Sequence, residues 1–347
     1  MVKRPGAEPP FKTPHDVSPA SGWADWKPLA WTFGVTAGLL VWARQASPLP
    51  VILADRYLSG SGFAEILVLA MYAAFVAHII LKSQKTARIR SGIWALFSLV
   101  FFVQLVLGLA GLERMLMTGD LHLPVPALIL AGPIYRGHGL FMPILYGATV
   151  LLVGPAWCSF LCYIGSWDDK ASRVRSAPPR PVPLWATHVL RPLLLLAIVG
   201  TALVLRSQGA PLYLAVGLAL SFGLVGVAVM VTQSRRTGQM VHCTVVCPIG
   251  LISNLIGRIS PWQIRVAQGC TMCGSCTRAC RYSALKPADL ERGRPGLTCT
   301  LCGDCVHQCP HSLIGYRFPG LSSSQARTAF LVLVVSIHAV FLGVARI

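Results

Sequence analysis

Twelve cysteines in this chain of 347 residues fall into three sets of four. Two of these sets share the spacing C-x2-C-x2-C-x3-C, one beginning at Cys270 and the other at Cys299. Both motifs also carry a threonine and a glycine at matching positions, which indicates an internal duplication. Closely spaced thiolates on a tight turn can bind three corners of a [4Fe-4S] cube. The two motifs therefore predict iron-sulfur chemistry.

This spacing resembles that of bacterial two-cluster ferredoxins, in which the fourth cysteine of each motif crosses to the other cluster. The resemblance implies one [4Fe-4S] cluster on Cys270, Cys273, Cys276 and Cys309, and a second on Cys299, Cys302, Cys305 and Cys280. Cys309 is followed by Pro310, as in that pattern, whereas Cys280 is followed by Arg281. Structural zinc sites are the alternative, since C-x2-C pairs also bind zinc. Eight cysteines in the ferredoxin order favour two clusters.

The remainder of the chain has the composition of a membrane protein. Hydrophobic residues make up 54% of the sequence and charged residues only 12%, a balance typical of membrane proteins. Apolar stretches predict seven spans, at about residues 28–43, 63–81, 92–112, 138–157, 189–205, 212–231 and 328–345. The first span is short for a bilayer that needs roughly 20 residues. We expect a mainly α fold, a polytopic membrane helix bundle with the two-cluster ferredoxin-like insert before the last span.

The distribution of basic residues predicts the orientation. The net charge of +18 could indicate nucleic-acid binding, but the cations lie where the positive-inside rule places them, so nucleic acid is not an expected partner. With the amino terminus inside, six of the 30 Lys and Arg residues fall in outer segments: Arg44, Arg56, Arg114, Arg136, Arg206 and Arg346. This count predicts a cytoplasmic amino terminus, a cytoplasmic ferredoxin insert and an outer carboxy terminus.

These patterns divide the chain into four parts. Residues 1–27 form a basic tail that we expect to be disordered, without the apolar core and cleavage site of a signal peptide. Residues 28–267 form the membrane domain and residues 268–318 the 2[4Fe-4S] ferredoxin-type domain. Residues 328–345 form the last transmembrane helix.

The third cysteine set is a repeat at the predicted inner membrane face. One C-x3-C motif, Cys158 and Cys162, follows the fourth span, and the other, Cys243 and Cys247, follows the sixth. Both motifs continue with an isoleucine and a glycine, which suggests two related helix-plus-loop units. On an α-helix, cysteines at i and i+4 share one face, so two units could supply four thiolates to one site. A third iron-sulfur cluster, redox-active or metal-handling thiols, and simple packing of small residues remain open.

Paired C-x3-C motifs at helix ends, followed by a two-cluster ferredoxin module between membrane spans, resemble the NapH/NosR-type membrane polyferredoxins. The layout is closest to the NapH type, although Cys162 is followed by Tyr163 instead of proline. The resemblance implies a bacterial inner-membrane protein, in contact with membrane lipid, that moves electrons between the quinone pool and a partner redox subunit or periplasmic oxidoreductase. Such a chain is a component of a quinol-oxidising respiratory complex and not a complete enzyme. The alternatives are an assembly or maturation factor whose clusters reduce a metal or thiol during cofactor insertion into a partner enzyme, and a redox sensor without catalytic activity.

Two further features bear on cofactors and on the membrane surface. His78 and His338 lie in predicted spans, and a haem b between two histidines is conceivable. Single histidines in helix bundles more often hydrogen-bond across helices, so we do not expect a haem; catalytic residues stay unassigned. The segment 250–266 combines Arg258 and Arg265 with apolar residues. This mixture is typical of a helix along the membrane surface, and equally of a packed connector.

Overall fold

The computed structural model describes residues 26–116 and 123–344. Its α-helices are α1 (Lys27–Ala46), α2 (Leu53–Tyr57), α3 (Gly62–Lys82), α4 (Thr86–Leu109), α5 (Leu128–Arg136), α6 (Phe141–Val153), α7 (Tyr163–Arg173), α8 (Arg191–Ser207), α9 (Leu212–Val229), α10 (Arg235–Thr237), α11 (Pro248–Ile256), α12 (Ser275–Ala279), α13 (Pro287–Glu291), α14 (Asp304–His307) and α15 (Ser323–Val344). Two strands, β1 (Gln263–Val266) and β2 (Ile314–Arg317), form an antiparallel pair. Residues 1–25, which make up most of the predicted tail, lie outside the described residues.

Six helical segments in these ranges are long and apolar enough to cross a membrane: Gly62–Lys82, Thr86–Leu109, Phe141–Leu161, Ala186–Ser207, Leu212–Thr237 and Ser323–Val344. They coincide with the second to seventh predicted spans, so the mainly helical membrane bundle is confirmed. The first predicted span forms α1, a helix of 20 residues that is not among the six. Lys27 and Arg44 at its ends, with Thr32 and Thr36 inside it, lower its apolar content.

Helix α1 nevertheless belongs to the bundle, where it packs against α3 and α15. Leu40 and Ile66 are buried in the core that these helices share. The hydroxyl of Thr36 donates to the carbonyl of Thr32 at 2.7 Å, and the hydroxyl of Ser336 donates to the same carbonyl at 3.3 Å. Polar side chains in an apolar bundle must find such partners, because no water is available to them.

The ferredoxin module is closed by its two strands. Strand β1 stands before the first cysteine motif and β2 after the second, with Ile264 opposite Tyr316 in the register. The pairing therefore holds the two ends of the module together. It also accounts for the segment 250–266, which is not a single surface helix: α11 ends at Ile256, and the chain then becomes a strand because β2 supplies its hydrogen-bond partner.

Candidate functional site

The two ferredoxin motifs have the same backbone conformation. The residue before the second cysteine has a positive φ in both, 56° at Met272 and 55° at Leu301. The glycine after that cysteine also has a positive φ in both motifs, 73° at Gly274 and 78° at Gly303. Residues other than glycine seldom adopt a positive φ. The duplication inferred from the sequence therefore extends to a specific pair of loops.

One cavity is lined by Cys270, Cys273, Cys276 and Cys309, and contains about 300 Å³ of space free of protein atoms, part of it open to solvent. The fourth cysteine of the second motif thus lies with three cysteines of the first. The backbone N–H of Leu313 donates to Cys309 Sγ at 3.3 Å. Cys273 is exposed, whereas Cys276 is buried. This group of four stands at the surface of the module.

The other four cysteines of the module lie deeper. Burial, followed by the neighbouring thiols of Cys302, Cys280 and Cys299, raises the pKa of Cys305. The backbone N–H of Ala284 donates to Cys280 Sγ at 3.3 Å, the counterpart of the bond to Cys309. Donors to cysteine sulfur stabilise negative charge on it and tune the potential of a bound cluster. The structure therefore brings together two groups of four that differ in burial but share an equivalent N–H donor to the sulfur of Cys280 and of Cys309.

The two C-x3-C motifs share a different local structure. Each begins with a π-helical turn, Trp157–Leu161 or His242–Val246. The N–H of the second cysteine closes the turn by donating to the carbonyl of its first residue, at 3.0 Å in the first unit and 2.8 Å in the second. Cys162 and Cys247 are then extended, with ψ 111° and 116°, and a new helix begins at the next residue. The expectation of an i, i+4 pair on an α-helical face is wrong, because five-residue turns replace the α-helix here.

The departure from proline in the first unit leaves its structure intact. Tyr163 begins α7 just as Pro248 begins α11. Its ring stacks on Phe101 with centroids 3.9 Å apart. A stacked aromatic contact thus holds the start of α7 in place of a proline ring.

The two units bring their four cysteines to one site. Cys158, Cys162 and Cys247 are buried and Cys243 is half-buried. Burial, followed by the carboxyl group of Asp168 and the thiols of Cys247, Cys162 and Cys158, raises the pKa of Cys243. The backbone N–H of Cys243 donates to Asp168 Oδ2 at 2.9 Å. Residues 85 positions apart therefore meet at the end of the membrane helices.

Each unit is anchored by one long side chain from a preceding membrane helix. Trp94 of α4 donates from Nε1 to the carbonyl of Cys162 at 2.8 Å. Arg191, the first residue of α8, donates from Nε to the carbonyl of Cys247 at 3.3 Å. Tryptophan in one unit and arginine in the other thus hold equivalent carbonyls.

The repeated glycine of each motif makes room for these anchors. A Cβ atom on Gly165 would lie 2.6 Å from Trp94 Cζ2, and one on Gly250 would overlap Arg191 Nη2. Neither separation is sterically possible without displacement of a buried side chain. The sequence pattern identified both glycines but not the side chains that require them.

Arg191 is a buried cation beside the third cysteine set. Its surroundings indicate what kind of centre these four cysteines can hold. It is 1% exposed, and its remaining bonds go to the carbonyl of Cys243 at 2.8 Å and to Asn254 Oδ1 at 2.9 Å. No carboxylate within the described residues forms a salt bridge with it. Its guanidinium group instead donates to the backbone carbonyls of Cys247 and Cys243 and so lies beside the third cysteine set.

An unbalanced buried charge costs several kcal/mol. Neutral thiols do not balance it, whereas metal-bound thiolates carry net negative charge. The donor set around Arg191 therefore fits an anionic metal-thiolate centre better than free thiols or simple packing.

Hydrogen bonds connect the third set to the deeper group of the module. Tyr282, two residues after Cys280, donates from its hydroxyl to the carbonyl of Cys158 at 3.4 Å. Asn254, which accepts from Arg191, donates from Nδ2 to the carbonyl of Cys299 at 3.1 Å. The two cysteine sets are thus separated by single bridging side chains.

Arg281, the residue that stands where the ferredoxin pattern has proline, joins the module to the membrane domain. Its Nη1 donates to the carbonyl of Gly238 at 2.9 Å, and its own carbonyl accepts from the N–H of Met240 at 2.8 Å. Both partners precede the second C-x3-C unit. The bond from the guanidinium group to Gly238 is therefore an interdomain contact that proline could not make, whereas the backbone carbonyl at this position could accept from Met240 with either residue.

The sequence reasoning missed the residues that hold these sets in place. Asn254, Tyr282, Arg90, Asp304 and Arg191 were not predicted as site residues. The available signal was the presence of Arg90 and Arg191 at the ends of otherwise apolar segments, where an ionisable residue is costly and usually has a function.

Of the two histidines in predicted spans, His338 forms hydrogen bonds with protein atoms. His338 is buried, with Nδ1 3.0 Å from the carbonyl of Phe160 and Nε2 3.2 Å from the hydroxyl of Tyr72. Both ring nitrogens of His338 are therefore engaged by protein atoms.

Within residues 26–116 and 123–344, no three His, Cys, Asp or Glu side chains are arranged to hold a single metal ion. The thiolates of a four-iron cube stand further apart than those around one zinc ion.

Comparison with known proteins identifies an iron-sulfur region. The chain matches a family model described as a 4Fe-4S binding domain over residues 137–181 and 216–266. The first segment contains Cys158 and Cys162, and the second contains Cys243 and Cys247. Neither the curated proteins nor the solved structures give a significant match. The match supports an iron-sulfur protein of ferredoxin type, and the six apolar helices are consistent with a multi-pass membrane protein.

Proposed function

We propose that this chain is a membrane electron-transfer subunit with three [4Fe-4S] clusters in a row, which passes electrons between the quinone pool and a partner redox protein. The first cluster would be held by the C-x3-C set, Cys158, Cys162, Cys243 and Cys247. The second would be held by Cys280, Cys299, Cys302 and Cys305, and the third by Cys270, Cys273, Cys276 and Cys309. When bound, these clusters supply reversible one-electron transfer.

The order of the three sets is the observation that carries this proposal. The C-x3-C set lies at the ends of the membrane helices. Tyr282 and Asn254 connect it to the buried group of the module. The remaining group contains the exposed Cys273. A series that begins at the membrane and ends at solvent is suited to carry electrons between a lipid-soluble carrier and a docked protein.

The protein's own groups have distinct roles in this scheme. Arg191, whose guanidinium group donates to the carbonyls of Cys243 and Cys247, balances the negative charge of the thiolates at the membrane end. The N–H groups of Ala284 and Leu313 donate to one sulfur in each of the other two sets. Cys158, Cys162, Cys247, Cys280 and Cys305 are buried, which keeps the electrostatic interactions of these sulfur atoms strong.

Iron analysis and EPR of the anaerobically purified protein in detergent test this function. We expect about twelve iron atoms per chain, and reduced [4Fe-4S] signals that grow when a menaquinol or ubiquinol analogue is added. Cys247→Ser is expected to lower the iron content toward about eight while leaving the signals of the module. Cys273→Ser is the variant matched to Cys247→Ser, because it removes a ligand only from the third cluster, the one nearest to solvent.

Either of two results would contradict the proposal. About eight iron atoms per chain in the unaltered protein would eliminate the membrane-end cluster. Reduction by dithionite but not by quinol would exclude the quinone pool as donor and favour the assembly-factor alternative, whose activity would be sought on metal ions or apo-protein.

A further inference from the structure

A basic cleft lies between the ferredoxin module and the membrane helices. It contains about 1210 Å³ of space free of protein atoms, part of it open to solvent. Its walls are formed by Asn254 of α11, by the turn after this helix, by β1 and by the loop 292–301, together with residues at the start of the span Ala186–Ser207. Five cationic side chains line it: Arg258, Arg265, Lys286, Arg292 and Arg294.

The positive charge of the cleft is only partly balanced. Asp289 is the single carboxylate in its described lining, and it is already paired with Arg292 Nη2. Lys286 donates from Nζ to the carbonyl of Val182 at 3.0 Å. Arg258 and Arg294 are exposed, and their guanidinium groups donate no hydrogen bond within the described part of the chain. The cleft therefore offers free donors to an anion.

The surroundings of the cleft place it at the membrane surface. Leu184 and His188 line it beside the start of a membrane-crossing segment. Leu255 and Ile259, which flank Arg258 in the sequence, are 50% and 79% exposed. Arginine next to exposed aliphatic side chains is typical of a lipid interface, where the charge meets the headgroup and the apolar groups meet the acyl region. A site for a soluble anion has no need of the aliphatic flank.

We propose that this cleft binds the phosphate headgroup of an anionic phospholipid. Arg258 and Arg294 each donate hydrogen bonds from their guanidinium groups to the phosphate oxygens, and Leu255 and Ile259 contact the acyl chains. Cys299 also lines the cleft, so the bound headgroup lies beside the second cysteine set. The lipid thereby fastens the module to the membrane surface, independently of which electron carrier the protein uses.

Native mass spectrometry of the complete, delipidated protein in detergent tests the site. Phosphatidylglycerol, phosphatidylcholine and glycerol 3-phosphate are titrated in parallel. We expect phosphatidylglycerol to bind most tightly. The double variant Arg258→Gln, Arg294→Gln should weaken its binding about twenty-five-fold, since each basic residue near an anionic lipid contributes roughly fivefold. Iron content reports on folding and should not change, because both side chains are exposed.

Arg235→Gln with Arg236→Gln is the matched control, because both residues are exposed and removal of the same charge leaves the cleft lining intact. This control should bind phosphatidylglycerol like the unaltered protein. Equal weakening in both double variants would show a general effect of charge and overturn the proposal. Undiminished binding in the cleft variant would also overturn it. Glycerol 3-phosphate binding as tightly as the lipid would assign the cleft to a soluble phosphate instead.

Discussion

Arg90 of α4 and Asp304 of the second ferredoxin motif are joined by two buried hydrogen bonds, from Nε to Oδ1 at 3.0 Å and from Nη2 to Oδ2 at 3.0 Å. Arg90 also donates to Asp169 of α7 at 3.2 Å, and Arg173 donates to both carboxylates. Burial alone would raise the pKa of Asp169, but Arg90 and Arg173 lower it to about 2. Because Asp304 directly precedes Cys305, this bidentate contact fixes the motif to the membrane domain.

Replacement of Arg90 should break the contact between α4 and the second ferredoxin motif. Arg90→Met leaves Asp169 and Asp304 buried with only Arg173 as a partner, and we expect a loss of about 3–5 kcal/mol in the free energy of unfolding. Thermal unfolding of the purified protein in detergent measures it. Arg88→Met on the same helix is the control, because Arg88 is exposed. Equal stability of the two variants would show that the buried ion pairs do not hold the module.

The duplicated glycines of the module should differ in their tolerance of alanine. Gly274 and Gly303 have similar positive φ values, so alanine costs about 1–2 kcal/mol at either position. A Cβ on Gly303 would additionally lie 2.5 Å from the hydroxyl of the buried Tyr316, whereas Gly274 faces only the flexible end of Arg278 at 3.4 Å. Gly303→Ala should therefore release iron to a chelator faster than Gly274→Ala. Equal release rates would mean that Tyr316 moves aside freely.

The glycine of the first C-x3-C unit allows a sharper comparison within the membrane domain. Gly165→Ala must displace the buried Trp94, with an expected cost of about 1–3 kcal/mol. Gly200→Ala in α8 is the control: its Cβ meets nothing within 4 Å, and alanine favours a helix by up to about 1 kcal/mol. Midpoints of thermal unfolding should fall for the first variant and stay or rise for the second. A matching fall in both would argue against the contact with Trp94.

Arg191 should influence both the occupancy and the potential of the proposed membrane-end cluster. Arg191→Met removes the buried cation, so we expect less bound iron and a more negative midpoint potential, because the reduced centre carries more negative charge. Arg191→Lys should restore part of the potential. Redox titration followed by EPR measures the shift.

Arg206→Met, on the same helix but exposed, controls for the loss of positive charge. A potential that does not change in Arg191→Met, with full iron content, would mean that Arg191 has a packing role only. Such a result would leave the iron count of the unaltered protein as a separate test of the third cluster.

The features that the sequence determined by itself are local ones. The spacing of the ferredoxin cysteines requires the tight turns in which Met272 and Leu301 adopt positive φ, since three thiolates must reach one space. The apolar segments required helices because a chain in a bilayer satisfies its backbone hydrogen bonds internally. Both requirements act over neighbouring residues, so they can be read without knowing the fold.

What only the tertiary structure decided depends on residues far apart in the chain. The C-x3-C motifs form π-turns and extended residues instead of α-helical faces, because Trp94 and Arg191 from other helices hold the carbonyls of Cys162 and Cys247. Residues 263–266 became a strand because β2 lies beside them. In each example the deciding partner lies many residues away in the sequence, and local preference is overridden by the need to pair buried polar groups.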